Sequence, residues 1–587
     1  MIKRFFAAFA LCLIGSSVIF AANAKLSPDL QSADPRSNIR VIVQYAAALP
    51  NSSLLGGVVN DVTPVTNILK LGGAVSAVSD VVNAVVCTLP VSMLETLAAD
   101  PTVTYISPDR MLAARLDYTA AAVNAASAWK ANLNGTGVGI ALIDSGIDAT
   151  DDLKTAALLP RIVYTQDFTG GDGSDEYGHG THVAGIAGAN GISSKCLGCT
   201  RSLVGMAPNA SFINLRVLNA SGEGSDSWLL AAIGQAIHLK KLYNIRVINL
   251  SLGRPVYESY KLDPLCKAVE AAWKAGIVVV VAAGNDGRDN SFANDGYGTI
   301  ESPGNDPYVI TVGAMKAMGT YPRSDDLIAS YSSKGPSAID HVVKPDVVAP
   351  GNHLVSLLAP YSTLAGEPAN QVPLSYYEAT PSTQPSAQFL MLNGTSMATP
   401  VVSGVVADLL QQQPSLTPDQ VKARLMKTAY KTFPTTSTAV DPVTGQTFVS
   451  QYDIFTVGAG YLDVAAALAN HDLATGTAMS PIASYDSASG NVYIAYDPSS
   501  TWQDTDGAMK AVWGTSTVWG NSVIDANKAV WGTKAVWGTS SLGGFSTVWG
   551  NKSVWGTSTT SADKAVWGTD SSTSDSDTDF AIDQPLP

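Results

Sequence analysis

Strand-type and helix-type patterns alternate through the middle of the chain, between about residues 117 and 470. Short apolar runs, as buried strands show, occupy residues 138–143, 212–217, 247–250 and 277–283. Stretches with helical spacing lie between them, at residues 227–243 and 264–275. This alternation predicts a parallel sheet with helices on both faces. In such sheets, functional sites lie at the carboxyl ends of the strands.

A smaller α+β pattern precedes this region, over about residues 38–112. Three runs predict strands, at residues 40–45, 84–89 and 103–106, and two stretches predict helices, at residues 69–82 and 91–98. We therefore expect a small separate domain before the large α/β domain.

The last part of the chain, about residues 472–587, has a different composition. Val-Trp-Gly occurs seven times, with tryptophans at 513, 519, 531, 537, 549, 555 and 567. Their spacing alternates between 6 and 12 residues, so the period is 18 residues. The composition fits a repetitive β ribbon and a disordered tail about equally well.

The first 24 residues have the pattern of a secretory signal peptide. Lys3 and Arg4 precede an apolar stretch, and Ala22-Asn23-Ala24 supplies the small residues of a cleavage site. An uncleaved membrane anchor is the alternative, but Gly15-Ser16-Ser17 interrupts the apolar stretch. No later run is long enough to cross a bilayer, so we expect export and no integral membrane segment.

Composition and charge narrow the classes of partner. The chain has 587 residues, of which 46% are hydrophobic, and a formal net charge of −14. This charge argues against nucleic acid or an anionic membrane as the main partner.

Cysteine use points to a local crosslink. Cys196 and Cys199 form a C-x-x-C pair that would suit a redox motif or half a zinc site, but no second pair completes a metal site. In an exported protein a disulfide that pins a loop is favoured, with Cys266 left over or competing for a partner.

Three short polar motifs, framed by small residues, occur in the order Asp, His, Ser. Asp144 ends an apolar run, while His179 and Ser396 each open a helical stretch of small residues. A nucleophile, a base and an orienting carboxylate are the three parts of acyl transfer by a serine hydroxyl. We therefore predict that Ser396 attacks, His179 exchanges the proton and Asp144 orients the imidazole.

Each polar motif alone also has a structural interpretation. Serine is a favoured helix cap, and a turn would account for Asn285, whose amide is a candidate donor to an oxyanion. His182 lies three residues after His179 on the same helix face, and we expect it to pack structurally. Asp152, a carboxylate in a loop, is a candidate cation ligand.

Taken together, the motifs resemble those of the subtilisin-like (subtilase) serine endopeptidases. They keep the family's order from Asp144 to Pro400. The matching segments are Asp-Ser-Gly (144–146), His-Gly-Thr-His-Val-Ala-Gly (179–185), Gly-Met-Ala-Pro (205–208), Val-Ile-Asn-Leu-Ser-Leu-Gly (247–253), Ala-Gly-Asn (283–285), Lys-Pro-Asp-Val-Val-Ala-Pro-Gly (344–351) and Gly-Thr-Ser-Met-Ala-Thr-Pro (394–400).

The resemblance implies an α/β fold with a doubly wound parallel sheet of subtilisin type, and it assigns roles to individual residues. The implied site consists of the triad Asp144, His179 and Ser396, the oxyanion donor Asn285, the strand Ser251, Leu252 and Gly253 that pairs with substrate, and the pocket residues Ala282, Ala283 and Gly284. Asp286 would lie at the rim of that pocket, where it would modestly favour basic or polar side chains. We expect broad specificity with an apolar preference.

The domain at residues 38–112 resembles the inhibitory propeptide of this family. The resemblance implies that it blocks the cleft of its own chain until self-cleavage between about Arg110 and Tyr118. No cofactor is implied for the chemistry. Residues 190–203 carry the cysteine pair in place of a recognisable calcium loop, so a structural calcium stays open and its ligands unknown. The stretch between Gly351 and Asn393 is longer than a compact core of this family needs.

These expectations converge on a secreted serine endopeptidase, made as a self-processing zymogen, that acts on proteins or peptides. The alternative from another class is a surface or matrix-binding protein whose Trp-rich tail binds a cell surface or polysaccharide. An esterase or lipase is disfavoured, because such enzymes present Gly-x-Ser-x-Gly in the order Ser, Asp, His, and the chain has neither.

Overall fold

The computed structural model describes most of the chain between residues 23 and 495. The described residues are 23–27, 30, 34–46, 63–79, 83–108, 118–196, 198–291, 294–379, 382–441, 444–474, 476–486 and 491–495. Nearly all of the predicted signal peptide, the maturation segment before Tyr118 and the Val-Trp-Gly repeats lie outside them. The chain divides into two compact units, residues 1–113 and 114–587. Within the described residues, no helix has the length and apolar character that a membrane span requires.

The first unit is a four-stranded antiparallel sheet with two helices. Its elements are β1 (Asn38–Tyr45), α1 (Thr63–Lys70), β2 (Ala74–Ser79), β3 (Ala84–Pro90), α2 (Leu94–Ala98) and β4 (Val103–Pro108). The strand order is β2-β3-β1-β4. Alternate side chains of β1, Val41 and Val43, enter a core with Ile68 and Leu94. The three predicted strands and the helix predicted at residues 91–98 are confirmed.

The helix predicted at residues 69–82 is wrong. The chain is helical only over Thr63–Lys70, and Ala74–Ser79 is a strand. Gly72 has a φ of 76°, which ends the helix. A Cβ at Gly73 would lie 2.7 Å from Cγ2 of Ile68, so the chain turns back tightly there. The Ala-Val-Ser-Ala-Val-Ser sequence then pairs antiparallel with β3, which a helix over residues 69–82 could not do.

The second unit is built on an eight-stranded sheet. Its strands are β5 (Gly139–Asp144), β6 (Ile162–Asp167), β7 (Ser211–Arg216), β8 (Ile245–Leu250), β9 (Val278–Ala282), β10 (Ile310–Lys316), β11 (Leu327–Ile328) and β12 (Val347–Pro350). The order is β11-β10-β9-β8-β5-β7-β6, with β12 also paired to β10. Every pairing is parallel except β10 with β11. The predicted parallel α/β sheet is confirmed.

The strand order reverses direction at β5, which lies between β7 and β8. In open α/β sheets, a crevice opens outside the carboxyl ends of the strands at the point where the strand order reverses. Asp144 ends β5 at this point, and Ser251 and Asn285 follow the next two strands on one side.

Eight helices of the described chain belong to the second unit. They are α3 (Thr119–Ala122), α4 (Ala126–Lys130), α5 (His179–Gly188), α6 (Asp226–Leu239), α7 (Pro264–Lys274), α8 (Thr395–Gln412), α9 (Pro418–Thr428) and α10 (Val464–Ala469). α5 and α8 pack against each other, and α8 also packs across β8, β9 and β10. Both are rich in small residues, and every residue of α5 is buried, which lets their backbones approach the sheet closely.

The long stretch between Gly351 and Asn393 forms its own antiparallel sheet, β13 (Leu354–Leu357), β14 (Gln371–Pro373) and β15 (Pro385–Leu392). The predicted Cys196–Cys199 disulfide is present, and it holds a loop against this insertion. Thr200 donates its N–H to the carbonyl of Tyr377 at 2.7 Å, and the Arg201 guanidinium lies 4.5 Å from the ring centroid of Tyr376. Cys266 is free and buried.

Two hairpins complete the second unit as the structure describes it. They are β16 (Thr436–Val440) with β17 (Thr447–Gln451), and β18 (Ile482–Asp486) with β19 (Asn491–Ala495). The segment that leads into β18 and the start of that strand pack on the α/β core, in which Ala478 and Ala483 are buried. Ser480 donates its hydroxyl to Oδ1 of Asp346 at 2.5 Å.

Candidate active site

The carboxylate of Asp144 lies at the end of a strand whose six residues are all buried. The backbone N–H of Ser145 donates to its Oδ1 at 2.7 Å. The same oxygen lies 2.7 Å from Nδ1 of His179. Its second oxygen, Oδ2, is buried with no hydrogen-bond partner among the described residues. A charged carboxylate with so few donors gains most from a proton on the facing imidazole nitrogen.

His179 is the first residue of α5 and is fully buried. Its position depends on a glycine, because a Cβ at Gly180 would lie 2.2 Å from the carbonyl oxygen of Gly146. Only glycine therefore lets the start of α5 come so close to the turn after β5. The contact with Asp144 holds the proton on Nδ1 and leaves Nε2 as the acceptor. Nε2 has no partner among the described residues.

A second buried carboxylate, Asp175, holds the start of α5 and the hydroxyl of Ser145, and it was not among the predicted site residues. Its two oxygens accept the N–H groups of Gly178 and Thr181, each at 2.7 Å, and so cap the start of α5. It also accepts the hydroxyl of Ser145 at 2.7 Å. The sequence feature that could have identified Asp175 is an acidic residue a few positions before a predicted helix, which is a favoured place for a carboxylate.

The charges around His179 favour its protonated form. Burial lowers the pKa of His179, but the charge and hydrogen bond of Asp144, together with the charge of Asp175, raise it above its ordinary value. An imidazole held by a carboxylate in this way is a better proton acceptor during attack.

His182 has a different environment, in line with its predicted packing role. Its Nε2 lies 3.1 Å from the carbonyl oxygen of Leu354 and 3.2 Å from that of Leu390, and so donates to two strands of the insertion. Burial, with the charge of His179, lowers its pKa to about 3. His182 therefore remains neutral and links α5 to the small antiparallel sheet.

Ser396 lies in the first turn of α8, where Pro400 shapes its surroundings. Proline has no N–H, so it cannot donate to the carbonyl four residues earlier, which is that of Ser396. The hydroxyl of Ser251 takes this role and donates to the Ser396 carbonyl at 2.8 Å. In return, the hydroxyl of Ser396 donates to the carbonyl of Ser251 at 3.1 Å.

The structure joins Asp144 to His179 directly, but not His179 to Ser396. The Ser396 hydroxyl points to Ser251, and Nε2 of His179 has no partner among the described residues. Oγ of Ser396 must therefore leave the Ser251 carbonyl before it can donate to the imidazole. Loose contacts of this kind in the free enzyme are common and tighten when substrate binds.

Asn285 follows β9 and faces the start of α8. Its Oδ1 accepts the N–H of Thr395 at 2.9 Å and the Thr395 hydroxyl at 3.2 Å. These two bonds fix the amide, so its Nδ2 group is the side left to donate. A Cβ built at Gly394 would lie 3.5 Å from this Nδ2, which places the donor beside the turn that carries Ser396.

Comparison with known proteins agrees with this arrangement. Residues 135–453, more than half of the chain, match the subtilase family. The chain belongs to the subtilase family of serine proteases. The matched residues include all of the second unit from before β5 to beyond β17, with Asp144, His179, Asn285 and Ser396 among them.

Individual relatives support the assignment. The chain is 39% identical to the serine protease AprX of Bacillus subtilis (strain 168) over 304 residues, which is 50% of this chain and 61% of AprX. It is 33% identical to subtilisin E of the same organism over 369 residues, 62% of this chain and 79% of subtilisin E. With M-protease of Shouchella clausii the identity is 31% over 342 residues, 57% and 71% of the two chains. The chain thus spans about three fifths of AprX and more of the subtilisins.

The predicted substrate segments of this subtilase flank Ser396. Ser251 bonds to Ser396 in both directions, and the buried Leu252 and Gly253 follow it. The N–H of Gly284 donates to the Thr395 hydroxyl at 3.2 Å, which brings the end of Ala282-Ala283-Gly284 to the start of α8. Each segment is therefore hydrogen-bonded to the first turn of α8.

The predicted cation ligand of the subtilase, Asp152, lies beside a buried arginine, and its Oδ1 is buried with no hydrogen-bond partner among the described residues. Its backbone carbonyl accepts the guanidinium of Arg161 at 2.7 Å, and Arg161 also binds the carbonyls of Gly188 and Ala210. A buried cation therefore already occupies the carbonyl oxygens at this site. Burial raises the pKa of Asp152. Among the described residues, no group of three or more His, Cys, Asp or Glu side chains is placed to hold a metal.

Proposed function

We propose that this subtilase is a secreted serine endopeptidase, made as a self-processing zymogen, that hydrolyses peptide bonds through Asp144, His179 and Ser396. The observation that carries the proposal is the buried pair of Asp144 and His179, 2.7 Å apart, at the sheet edge where α8 presents Ser396. A serine hydroxyl is a weak nucleophile, and a base oriented by a third group is what activates it.

In the proposed reaction, Oγ of Ser396 leaves the Ser251 carbonyl and transfers its proton to Nε2 of His179 as it bonds to the scissile carbonyl carbon. The carbonyl π electrons move to oxygen, and Nδ2 of Asn285 donates to that oxyanion. His179 then gives the proton to the departing amine as the C–N bond breaks, leaving an acyl group on Ser396. Water, deprotonated by the same imidazole, attacks the acyl carbon and frees the serine.

The small first unit is proposed to be the inhibitory propeptide, and residues 1–24 the signal peptide. The support is the compact α+β fold of residues 38–108 and its place before the protease domain. Parallel sheets of non-local topology fold slowly, so a separately folded domain that assists the protease domain has a physical rationale. Cleavage is proposed between about Arg110 and Tyr118.

The test compares the parent chain with Ser396→Ala, each expressed at full length. We expect the parent to shed its first unit and to digest casein, and the variant to accumulate as the precursor. Ser227→Ala, which removes an exposed hydroxyl in α6, is the matched control and should process like the parent. Equal processing of parent and Ser396→Ala would contradict self-maturation, and casein digestion by Ser396→Ala would contradict the nucleophile.

A second arm tests the oxyanion donor. Asn285→Ala should keep the fold and reduce turnover by about 10²–10³, the usual cost of losing one such donor. Asn285→Asp keeps an acceptor for the Thr395 N–H but removes the donor, so it should lose activity while its melting temperature changes less than that of the alanine variant. Turnover of Asn285→Ala within about threefold of the parent would exclude the role.

A further inference from the structure

A buried glutamate that was not among the predicted site residues, Glu301, lies between the two predicted substrate segments. The backbone N–H of Glu301 donates to the carbonyl of Ala283 at 3.1 Å. The next residue, Ser302, exchanges backbone hydrogen bonds with Arg254, at 2.7 and 2.9 Å. Glu301 therefore joins the segment that ends at Gly284 to the segment that ends at Gly253.

The glutamate side chain fills the space that two glycines leave open. A Cβ built at Gly253 would lie 2.7 Å from Oε2 of Glu301, and one built at Gly284 would lie 2.8 Å from its Cγ and 3.0 Å from its Cδ. The carboxylate thus lies at the inner side of both segments. One of these segments flanks the Ser396 hydroxyl and the other leads directly into Asn285.

No cation in the described chain neutralises this carboxylate. Glu301 is 7% exposed, and its side chain forms no hydrogen bond or ion pair with the described residues. Burial and the nearby charge of Asp286 raise its pKa well above the usual range. Burial, with the charge of Asp289, likewise raises the pKa of Asp286 to about 6.

Three basic residues close in sequence to these segments or to their contacts bind other groups: Arg254, Arg288 and Lys334. The Arg254 guanidinium binds Asp226 and Asp263, each at 3.0 Å. The Arg288 guanidinium donates to Ser330 and Asp441. The ammonium of Lys334 donates to the carbonyl of Asp295 at 2.8 Å.

Another buried glutamate of the same unit shows what a structural role looks like. Glu270 is 6% exposed, and its two carboxylate oxygens bind Lys267 at 3.0 Å and Lys274 at 2.7 Å. Burying a charged carboxylate without a partner is unfavourable, so a buried acid normally has a cation beside it. Glu301 has none within the described chain, and it lies where substrate would enter.

We propose that Glu301, with Asp286 at the rim, forms an acidic specificity pocket that selects substrates with lysine or arginine immediately before the scissile bond. The inference rests on the proposed endopeptidase function and names its substrate class. A substrate ammonium or guanidinium that enters the pocket supplies the missing cation and gains a charge-assisted hydrogen bond. This preference for basic residues replaces the apolar preference that the resemblance implied.

The test measures kcat/KM of the full chain, after its own processing, on a matched series of succinyl-Ala-Ala-Pro-X-p-nitroanilides. X is lysine, arginine, phenylalanine or norleucine, which matches the lysine stem without its charge. We expect the parent to favour lysine over norleucine by about 30-fold or more, the scale of one buried charge pair. Glu301→Gln should abolish most of this ratio, whereas Glu270→Gln, the matched buried control, should keep it.

Two further measurements distinguish failure of the proposed function from failure of this inference alone. Active sites are counted by labelling Ser396 with a fluorophosphonate, and failure of the parent to label or to cleave any substrate would overturn the proposed function and this inference with it. Labelling with equal turnover of lysine and norleucine would overturn the inference alone, as would an unchanged ratio in Glu301→Gln. Should Glu301→Gln fail to fold, pentylammonium must inhibit the parent competitively at concentrations where 1-pentanol does not; equal inhibition would overturn the pocket.

Discussion

At the scale of single residues, Asp175 is placed to influence the proposed base, His179, through its charge and its hydrogen bonds. It caps α5 through two N–H groups and binds the hydroxyl of Ser145, whose own oxygen accepts the N–H of Gly180 at 2.9 Å. Its charge also raises the pKa of His179. It is therefore a positioning residue, and its electrostatic part can be separated from its structural part.

The electrostatic part predicts a pH shift. Asp175→Asn keeps an acceptor for α5 but removes a negative charge, so the pKa of His179 should fall. Since the base must be neutral to accept a proton, the acid limb of the kcat/KM profile should move to lower pH. A pH series on one peptide substrate measures this.

Asp172→Asn is the control, because Asp172 is an exposed carboxylate three residues away that caps only Ser174. Its acid limb should coincide with that of the parent. A limb that moves to higher pH in Asp175→Asn, or moves equally in both variants, would contradict the proposed influence of Asp175.

At the scale of elements, the small residues of α5 set how closely the helix approaches the end of β5. Gly180→Ala places a Cβ 2.2 Å from the Gly146 carbonyl oxygen, so the start of α5 must shift away from Asp144. We expect a loss of stability of about 1–3 kcal/mol, with a loss of most activity. Thermal denaturation and peptide hydrolysis measure the two effects.

Gly234, in the middle of α6, is the matched glycine without such a contact. A Cβ there meets nothing within 4 Å. Alanine is the better helix former by about 1 kcal/mol, so Gly234→Ala should raise the melting temperature and leave activity unchanged. If Gly180→Ala were as stable and active as Gly234→Ala, close approach of α5 would not be what this glycine provides.

The elements also show which features the sequence could reveal. Runs such as that of β9, Val-Val-Val-Val-Ala, are apolar throughout because both faces of the parallel sheet are covered, so strands of this kind were predictable. The helix predicted at residues 69–82 failed because an Ala/Val/Ser stretch fits a helix and a strand alike. Only its pairing with β3 decides between them.

The site residues likewise differ in how well the sequence alone predicts them. Asp144, His179, Asn285 and Ser396 lie in motifs with characteristic neighbours, so short-range sequence was enough to select them as candidates. Glu301 has no such neighbours, because its position depends on how Gly253 and Gly284 come together from separate strands. Such a contact depends on the tertiary structure and cannot be predicted from any single segment.

At the scale of the whole molecule, the α/β unit extends beyond the residue where composition changes. The Lys422 ammonium, buried under α9, donates to the hydroxyl of Ser480 at 2.8 Å, and this hydroxyl donates to Asp346. Asp346 in turn binds Lys344 at 2.7 Å. Residues around 480 therefore complete a buried polar network that links α9, β12 and the segment before β18.

This network predicts where the protease domain can be shortened. A chain that ends after Ala495 keeps every described contact and should melt like the full chain. One that ends after His471 loses the buried Ala478 and Ala483 and leaves Lys422 and Asp346 short of a partner, so it should be less stable by at least about 1–3 kcal/mol. Thermal denaturation in the Ser396→Ala background, which prevents self-digestion, compares the two. If both chains melted at the same temperature, the domain would end near residue 471, where the composition changes, and the contacts of Ser480 would contribute no measurable stability.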